Sequence, residues 1–226
     1  MSKRHCRQTK CSQKLDNGNC CIQGKDNLPV QCVGAWAEDK YFFLETYLNA
    51  TRKTREKFSD QGNAVFIDLF AGPGISIVKH NKREIKSGGV RAIEREEAAF
   101  NESILIDRCE SNTNALSKRL EKYRNVHIKC GDSNQLVDAL VAHLKRKSYR
   151  YHFAYIDPFG PDGLKFDTIR KLASLQRMDM LIHFPIGPIN RNLPVWLKKD
   201  QTILDDFLGT TAVSYTHLTL PTKRIV

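Results

Sequence analysis

The chain has 226 residues, of which 41% are hydrophobic, and its formal net charge is +11 at pH 7. This length suits one α/β domain with a small appendage and excludes two full domains. No stretch approaches the roughly 18–20 consecutive apolar residues of a membrane span, and the polar, basic N-terminus does not resemble a signal sequence. We therefore expect a cytoplasmic protein without a membrane partner.

The positive charge is typical of proteins that bind nucleic acid or another anionic partner. The basic residues are nevertheless scattered, and solvated helix faces account for most of them. They concentrate in four segments, which are Arg52–Arg55, Lys79–Lys86, Lys118–Arg124 and Lys145–Lys147. Nucleic acid is therefore a candidate partner that the charge alone does not establish.

Residues 1–31 are predicted to form a flexible arm, because they lack apolar periodicity. Five of the seven cysteines lie in this arm or next to it, at positions 6, 11, 20, 21 and 32. Four thiolates can close a tetrahedral zinc site, but this spacing lacks the paired Cys-x2-Cys knuckles of typical sites. We expect reduced thiols without bound zinc, and a metal-stapled arm is the alternative.

Residues 32–60 are predicted to form an amphipathic helix that packs beside the core. Its apolar residues recur at helical spacing, while Glu38, Asp39, Lys40 and the basic cluster Arg52–Arg55 are expected to face away from them. The apolar residues are Trp36, Phe43, Leu44, Tyr47 and Leu48.

Residues 61–211 alternate apolar runs with helical patterns, which predicts a doubly wound, mostly parallel sheet with helices on both faces. The predicted strands are Ala64–Leu69, Ser103–Asp107, Val126–Lys129, His152–Asp157 and Met178–Phe184. The predicted helices are Val90–Phe100, Asn112–Tyr123, Asn134–Arg146 and Phe166–Leu175. The connection Ile75–Lys86 is polar and basic, and it is predicted to be a long loop.

Residues 212–226 are predicted to be a non-native tail. Within it, residues 213–222 look like a translated sequencing adapter, and they lack the periodicity of the preceding chain. A genuine loop and tail is the alternative. We expect the natural part of the sequence to run to about Thr211 and to be a truncated piece of the protein.

The first predicted strand runs into a glycine turn, Asp68-Leu-Phe-Ala-Gly-Pro-Gly74. Open α/β sheets bind ligands at this edge, and glycine lets the backbone approach a ligand closely. A dinucleotide fingerprint is disfavoured, because Ile77 stands where its third glycine belongs. A tight turn without a ligand is the alternative reading of this segment.

Acidic residues also follow the next two predicted strands. Asp107 ends the second strand, where its carboxylate can accept two hydrogen bonds from ribose hydroxyls. Asp132 follows the third strand, where it can accept a hydrogen bond from an adenine amino group. Each acid taken alone is more typical of a helix N-cap, and the interpretation depends on finding acids at three successive strand ends.

The fourth predicted strand delivers Asp157-Pro-Phe-Gly160. The carboxylate and a nearby carbonyl can hold an exocyclic amine while Phe159 stacks on the base that carries it, and Pro158 fixes the turn. The structural alternative is a strand-ending turn in which Phe159 plugs the core. His183, at the end of the fifth strand, is more typical of a hydrogen-bonded structural histidine than of a catalyst.

These motifs together resemble the three-Cys-motif partner protein family. The resemblance covers about residues 28–200 and is carried by Leu28-Pro-Val-Gln, Gly34-Ala-Trp-Ala-Glu-Asp-Lys40, Asp68 to Gly74, Ser87-Gly-Gly, Asp157 to Gly160 and Ile189-Asn-Arg191. It implies a methyltransferase-like protein that uses S-adenosylmethionine and pairs with a separate three-Cys-motif protein. Asp157-Pro-Phe also resembles the Asp/Asn-Pro-Pro-Tyr/Phe motif of amine methyltransferases, although the second proline is missing.

The resemblance implies a Rossmann-like methyltransferase fold, truncated here before its C-terminal β-hairpin, and a methyl acceptor that is unidentified. The predicted cofactor-binding residues are Asp68, Phe70, Ala71, Gly72, Gly74, Asp107 and Asp132, and the predicted catalytic residues are Asp157, Pro158 and Phe159. One alternative is an accessory protein of the same fold without catalysis. Another is a nuclease that uses Asp68, Asp107 and Asp157 as metal ligands.

Overall fold

The computed structural model describes residues 20, 22–147, 149–196, 198 and 202–210. Its strands are β1 Gln31–Val33, β2 Ala64–Asp68, β3 Ile75–Val78, β4 Glu84–Lys86, β5 Glu102–Asp107, β6 Val126–Cys130, β7 Tyr151–Ile156 and β8 Met178–Ile182. Its helices are α1 Trp36–Ala50, α2 Arg52–Ser59, α3 Gly88–Ile93, α4 Glu110–Arg119, α5 Ser133–Leu144, α6 Phe166–Ala173, α7 Ile186–Trp196 and α8 Ile203–Leu208. Within the described ranges, no helix is both long and apolar enough to cross a bilayer.

Five parallel strands form the central sheet in the order β6-β5-β2-β7-β8. Every residue of β2 is buried, as expected for a central strand covered on both faces. One face packs against α5, α6 and α8 through residues such as Leu140, Leu172 and Phe207. The other face packs against α1 and α4 through residues such as Leu44 and Leu116. The structure confirms the predicted doubly wound, Rossmann-like α/β fold.

The prediction of a polar loop over Ile75–Lys86 is wrong. This segment forms β3 and β4, which pair antiparallel, and β3 also pairs in parallel with β1. The chain reverses near Lys82, whose φ is +57°. Ile77, Val78 and Ile85 are buried, so these three apolar side chains give the segment a buried side despite its basic composition.

Part of the predicted flexible arm packs against the domain. The backbone N–H of Cys20 donates to the carbonyl of Val30 at 2.8 Å. Cys20, Val30 and Cys32 pack with Ile77 of β3 in a small buried cluster. Part of this arm therefore contacts the domain, while its flexibility stays a prediction. Residues 1–19, with Cys6 and Cys11, and Cys21 lie outside the described residues, as does the predicted tail 212–226.

The predicted N-terminal amphipathic helix is two helices, α1 and α2, which are separated at Thr51. Leu44 and Leu48 are buried as predicted, but Trp36 is 52% exposed and Phe43 is 63% exposed. Helical spacing identified the apolar residues of α1, yet they occupy more of its circumference than the core can cover. The helix predicted over Val90–Phe100 is the shorter α3.

Two arginines that were assigned to solvated faces make hydrogen bonds inside the domain, and their side chains are largely removed from solvent. Arg55 of α2 has no exposed surface, and it donates to the carbonyls of Leu48 and Ala98. The guanidinium of Arg119, at the end of α4, makes two hydrogen bonds to the carboxylate of Asp26, at 2.7 and 2.9 Å. It therefore belongs to the packing of the domain and contributes nothing to a basic surface.

Arg119 ties the N-terminal segment to the loop that follows β2. Its Nη1 donates to the carbonyls of Pro29 and Pro73, at 2.8 and 2.5 Å. The arginine also holds the pKa of Asp26 below its usual value through their hydrogen bonds. Only a planar fork of donors can serve these three acceptor groups at once.

We predict that Arg119→Lys lowers the free energy of unfolding by about 2–3 kcal/mol, because a lysine cannot satisfy the carboxylate and both carbonyls. Urea unfolding followed by circular dichroism measures this change. Arg124→Lys is the matched control, since Arg124 is exposed, and it should stay within about 0.5 kcal/mol of wild type. Equal stability of the two variants would contradict the role given to Arg119.

Candidate functional site

The loops that follow the central strands meet at the carboxyl edge of the sheet. The chain runs outward from β2 to β5 and β6, and it then returns to the other side of β2 to form β7 and β8. Such a reversal opens a crevice between the loops at this edge, which is where open α/β sheets bind ligands. All the acidic residues predicted for the site lie in or next to these loops.

The glycine loop after β2 is held by backbone hydrogen bonds from both sides. The N–H of Ala71 donates to the carbonyl of Ile106 at 2.9 Å, and the N–H of Leu69 donates to the carbonyl of Tyr155 at 3.4 Å. Gly72 has a φ of +60°, which the turn requires and which a side chain would strain. Its N–H donates to Oδ2 of Asp107 at 2.9 Å.

Gly74 has a packing role in this loop. Its φ is +91°, and a Cβ built on it would lie 2.8 Å from Cδ1 of Leu116 and 3.2 Å from Cγ2 of Val90. A side chain here would therefore collide with α3 and α4 before it met a ligand. Contact between Gly74 and a cofactor stays a prediction.

Asp68 lies behind the glycine loop with 2% of its surface exposed. Its Oδ1 accepts a hydrogen bond from the N–H of Phe70 at 3.0 Å. Burial raises the pKa of Asp68 to about 8, and the nearby carboxylates of Asp157 and Asp107 add to this effect. The side chain is therefore mostly protonated at neutral pH. In this form it can donate a hydrogen bond as well as accept one.

Asp107 organises the start of α4. Its Oδ1 accepts hydrogen bonds from the N–H of Cys109 and from Nδ2 of Asn112, at 2.9 and 3.0 Å. Together with the bond from Gly72, three of the roughly four acceptor positions of the carboxylate are occupied. One acceptor position on Oδ2 is left for a ligand, which is fewer than the two predicted from the sequence.

Asp132 caps α5, as the alternative interpretation of the sequence proposed. Its Oδ1 accepts from the backbone N–H of Asn134 at 2.7 Å and from the side-chain amide of the same residue at 3.0 Å. Among the described residues, its other oxygen has no hydrogen-bond partner. Capping therefore leaves one carboxylate oxygen that a ligand can use.

Two cavities lie side by side at this edge. The smaller has a volume of about 90 Å³ and is lined by the ends of β5, β6 and β7, including Asp107, Asp132, Asp162 and Gly163. The larger has a volume of about 680 Å³ and lies between α1 and the loops after β7 and β8. Phe70 and Phe159 line both cavities and so form the boundary between them.

The predicted residues divide between these cavities. Phe70, Asp107 and Asp132 line the smaller one, and Asp157, Pro158 and Phe159 line the larger one. Four predicted cofactor residues line neither cavity in the described part of the chain, and these are Asp68, Ala71, Gly72 and Gly74. Phe159 is 55% exposed, so the alternative in which its ring plugs the core is wrong.

Lys40 lies in the site, and its expected place on the face of α1 turned away from the core is wrong. Its Nζ lies 2.5 Å from Oδ2 of Asp157, and the two side chains are only 13% and 16% exposed. Burial lowers the pKa of Lys40, and the negative charge of Asp157 opposes this effect. The pair joins α1 to the end of β7, over 117 residues of sequence. Lys40 stood in one of the segments that carried the family resemblance, which was the only signal available for it.

Aromatic rings surround this ion pair. Nζ of Lys40 lies 4.3 Å from the centre of the Trp36 ring. The Trp36 and His183 rings are nearly parallel, with an angle of 9° and centroids 6.2 Å apart. Burial lowers the pKa of His183, so this imidazole is mostly neutral at pH 7. The neighbouring hydroxyl of Tyr155 donates to Asp157 at 3.4 Å, and burial raises its pKa.

We predict that Asp68 makes stability fall as pH rises. A carboxyl whose pKa is about 8 when folded and 3.8 when unfolded stabilises fully below pH 3.8, and this stabilisation is lost as pH rises through 8. Asp68→Asn mimics the protonated acid and removes the titration. Between about pH 5 and pH 8, the free energy of unfolding of wild type should fall relative to the variant by at most about 1.4 kcal/mol per pH unit.

Urea unfolding of both proteins at several pH values checks this expectation. Because the two histidines with lowered pKa values, His152 and His183, are present in both proteins, the difference isolates Asp68. Parallel stability curves for wild type and Asp68→Asn would show that Asp68 is ionised in the folded protein.

No protein-family model matches this sequence, and no curated protein matches it. A solved structure titled "Putative methyltransferase yhhF from Escherichia coli" is similar over 61% of this chain and 60% of that chain, with 18% identity and a TM-score of 0.37. The match thus spans less than two thirds of that protein. A similarity of this size carries no information about activity, and the α/β fold follows from the order and direction of the strands.

Proposed function

We propose that this protein is an S-adenosylmethionine-dependent methyltransferase. The observation that supports it best is the pair of adjoining cavities at the carboxyl edge of the sheet, which share Phe70 and Phe159. A transfer reaction needs two ligands held side by side with their reacting atoms aligned. The smaller cavity is proposed for the nucleoside of the cofactor, and the larger cavity is proposed for the methyl acceptor.

The polar groups of the smaller cavity fit a nucleoside. The remaining acceptor position of Asp107 suits one ribose hydroxyl, and the unpartnered oxygen of Asp132 suits the adenine amino group. The volume of about 90 Å³ is too small for the whole molecule. The rest of the cofactor would therefore need space beyond the smaller cavity, next to Phe70 and Phe159, which line both cavities.

Asp157 is proposed to hold the acceptor. Its Oδ2 is engaged by Lys40 and Tyr155, whereas Oδ1 has no hydrogen-bond partner among the described residues. Oδ1 can accept an N–H of the acceptor and fix the direction of the nitrogen lone pair. When bound, S-adenosylmethionine supplies a methyl group that is electrophilic because it is carried on a sulfonium. The chain itself contributes alignment and exclusion of water.

The geometry gives less support to the nuclease alternative. A nuclease would need its acids grouped around a metal, but the described residues contain no group of three or more His, Cys, Asp or Glu side chains that could hold one. Asp68 is buried and Asp157 is paired with Lys40. A non-catalytic accessory role would show itself as cofactor binding without turnover. The separate three-Cys-motif protein stays a proposed partner.

Calorimetric titration with S-adenosylhomocysteine tests the cofactor site. We predict saturable binding to wild type, and weaker binding of S-inosylhomocysteine, which has a carbonyl oxygen in place of the adenine amino group. Asp132→Asn keeps an N-capping oxygen. It should bind S-adenosylhomocysteine more weakly by roughly 0.5–1.5 kcal/mol and discriminate less between the two ligands. Absence of any binding to wild type would refute the proposed function.

We also predict that Asp157→Asn keeps the affinity for S-adenosylhomocysteine and loses methyl transfer, because Asp157 lies on the acceptor side. Transfer of a radioactive methyl group to nucleic acid and protein extracts measures the activity. Asp39→Asn is the matched control, since Asp39 lines the same cavity but is not part of the ion pair with Lys40. If Asp157→Asn lost cofactor affinity instead, the assignment of the two cavities would be reversed.

A further inference from the structure

We infer that the larger cavity binds one base of a single-stranded nucleic acid, whose flanking phosphates are held by Lys79 and Arg191. This inference rests on the proposed function, because it names the acceptor of that same site. Three observations support it: the exposed aromatic rings of the cavity, the ion pair between Asp157 and Lys40, and the excess of positive side chains in the lining.

Exposed aromatic side chains from separate elements converge on the cavity. Trp36 and Phe43 of α1 are 52% and 63% exposed, Phe159 after β7 is 55% exposed, and Phe184 after β8 is 37% exposed. Large apolar side chains gathered at one concave surface mark a binding site. Flat rings suit a flat ligand, and stacking on aromatic side chains is the usual way in which proteins hold unpaired bases.

The ion pair selects against a cationic acceptor. Lys40 already neutralises Asp157 at 2.5 Å, so a lysine or arginine substrate would meet a like charge that is partly buried. A nucleobase carries a neutral exocyclic amine, which can donate to the free Oδ1 of Asp157 without that repulsion. In a duplex this amine is paired and stacked, so single-stranded nucleic acid reaches the cavity at a lower energetic cost.

Two positively charged side chains of the cavity have no acidic partner among the described residues. Lys79 and Arg191 both line the cavity, and neither has an acidic partner within salt-bridge distance in the part of the chain that the structure describes. Asp39 is the one lining acid outside the Lys40 pair, so the cations of the cavity outnumber its acids by three to two. Unpaired lysine and arginine beside aromatic rings suit a phosphate backbone that carries bases.

Fluorescence anisotropy with labelled oligonucleotides of about 12 nucleotides tests the inference, since single-strand sites span about 4–16 nucleotides. We expect the full chain to bind single strands more tightly than a duplex of the same length. Phe43→Ala and Phe159→Ala should each weaken binding by about 5- to 150-fold, the range for losing one stacked base. Phe166→Ala is the matched control, because Phe166 is 43% exposed on α6 and does not line the cavity.

The phosphate contacts are tested by the salt dependence of binding between about 50 and 200 mM. Replacing Lys79 and Arg191 by glutamine should reduce the slope of log affinity against log salt by about 1.4, or 0.7 for each contact. Replacing Lys53 and Lys57 by glutamine removes the same charge from exposed positions on α2 and should leave the slope unchanged. Equal effects of the two double variants would show that binding depends on the net charge of the protein and not on Lys79 and Arg191. This result would overturn the inference.

Three other outcomes would also overturn it. They are equal affinity for duplex and single strand, no binding at low salt, and methyl transfer to protein with none to nucleic acid. Only the last of these measurements needs the cofactor, so the others test the nucleic-acid site separately from the methyltransferase proposal. Single-strand binding without affinity for S-adenosylhomocysteine would refute the methyltransferase and leave the nucleic-acid site standing. Cofactor binding without single-strand binding would do the reverse.

Discussion

The ion pair between Lys40 and Asp157 is the interaction on which the larger cavity depends. Both side chains are mostly buried, and removing one partner of a buried pair leaves an uncompensated charge that is far more costly than losing an exposed one. The pair fixes α1 over the end of β7, so the helix forms one wall of the cavity. The same contact engages Oδ2 of Asp157, a residue that lines the cavity.

The carboxylates of the site are compatible with one another because they differ in protonation. Asp107 and Asp157 both stand near Asp68, so a negative charge on Asp68 would be repelled by both carboxylates. Burial shifts the pKa of Asp68 to about 8, so at neutral pH its proton removes one charge. Lys40 neutralises a second. The carboxylate of Asp107 accepts hydrogen bonds from the N–H groups of Gly72 and Cys109.

The central sheet could be predicted from the sequence because buried parallel strands are continuous apolar runs. The grouping of the acids could be predicted because the carboxyl ends of parallel strands meet at one edge of the sheet. The sequence did not predict the pairing of Lys40 with Asp157, since no periodicity links residues that distant. The strands β3 and β4 were not predicted, because the many basic residues of this segment obscured its three buried apolar residues, Ile77, Val78 and Ile85. Arg119 was misassigned because charge alone does not show whether a guanidinium meets a carboxylate and two carbonyls.

The exposure of Trp36 and Phe43 shows why α1 is more than a covering helix. A helix that only covers a sheet needs one apolar stripe, and Leu44 and Leu48 supply it. The additional aromatic side chains of α1 gain nothing from the core, and exposed rings of this size are a solubility cost to a free protein. Because they line the same cavity as the ion pair, one helix positions the charge of the site and supplies its flat apolar surface. A ligand that is both flat and able to donate to Asp157 would use both features together.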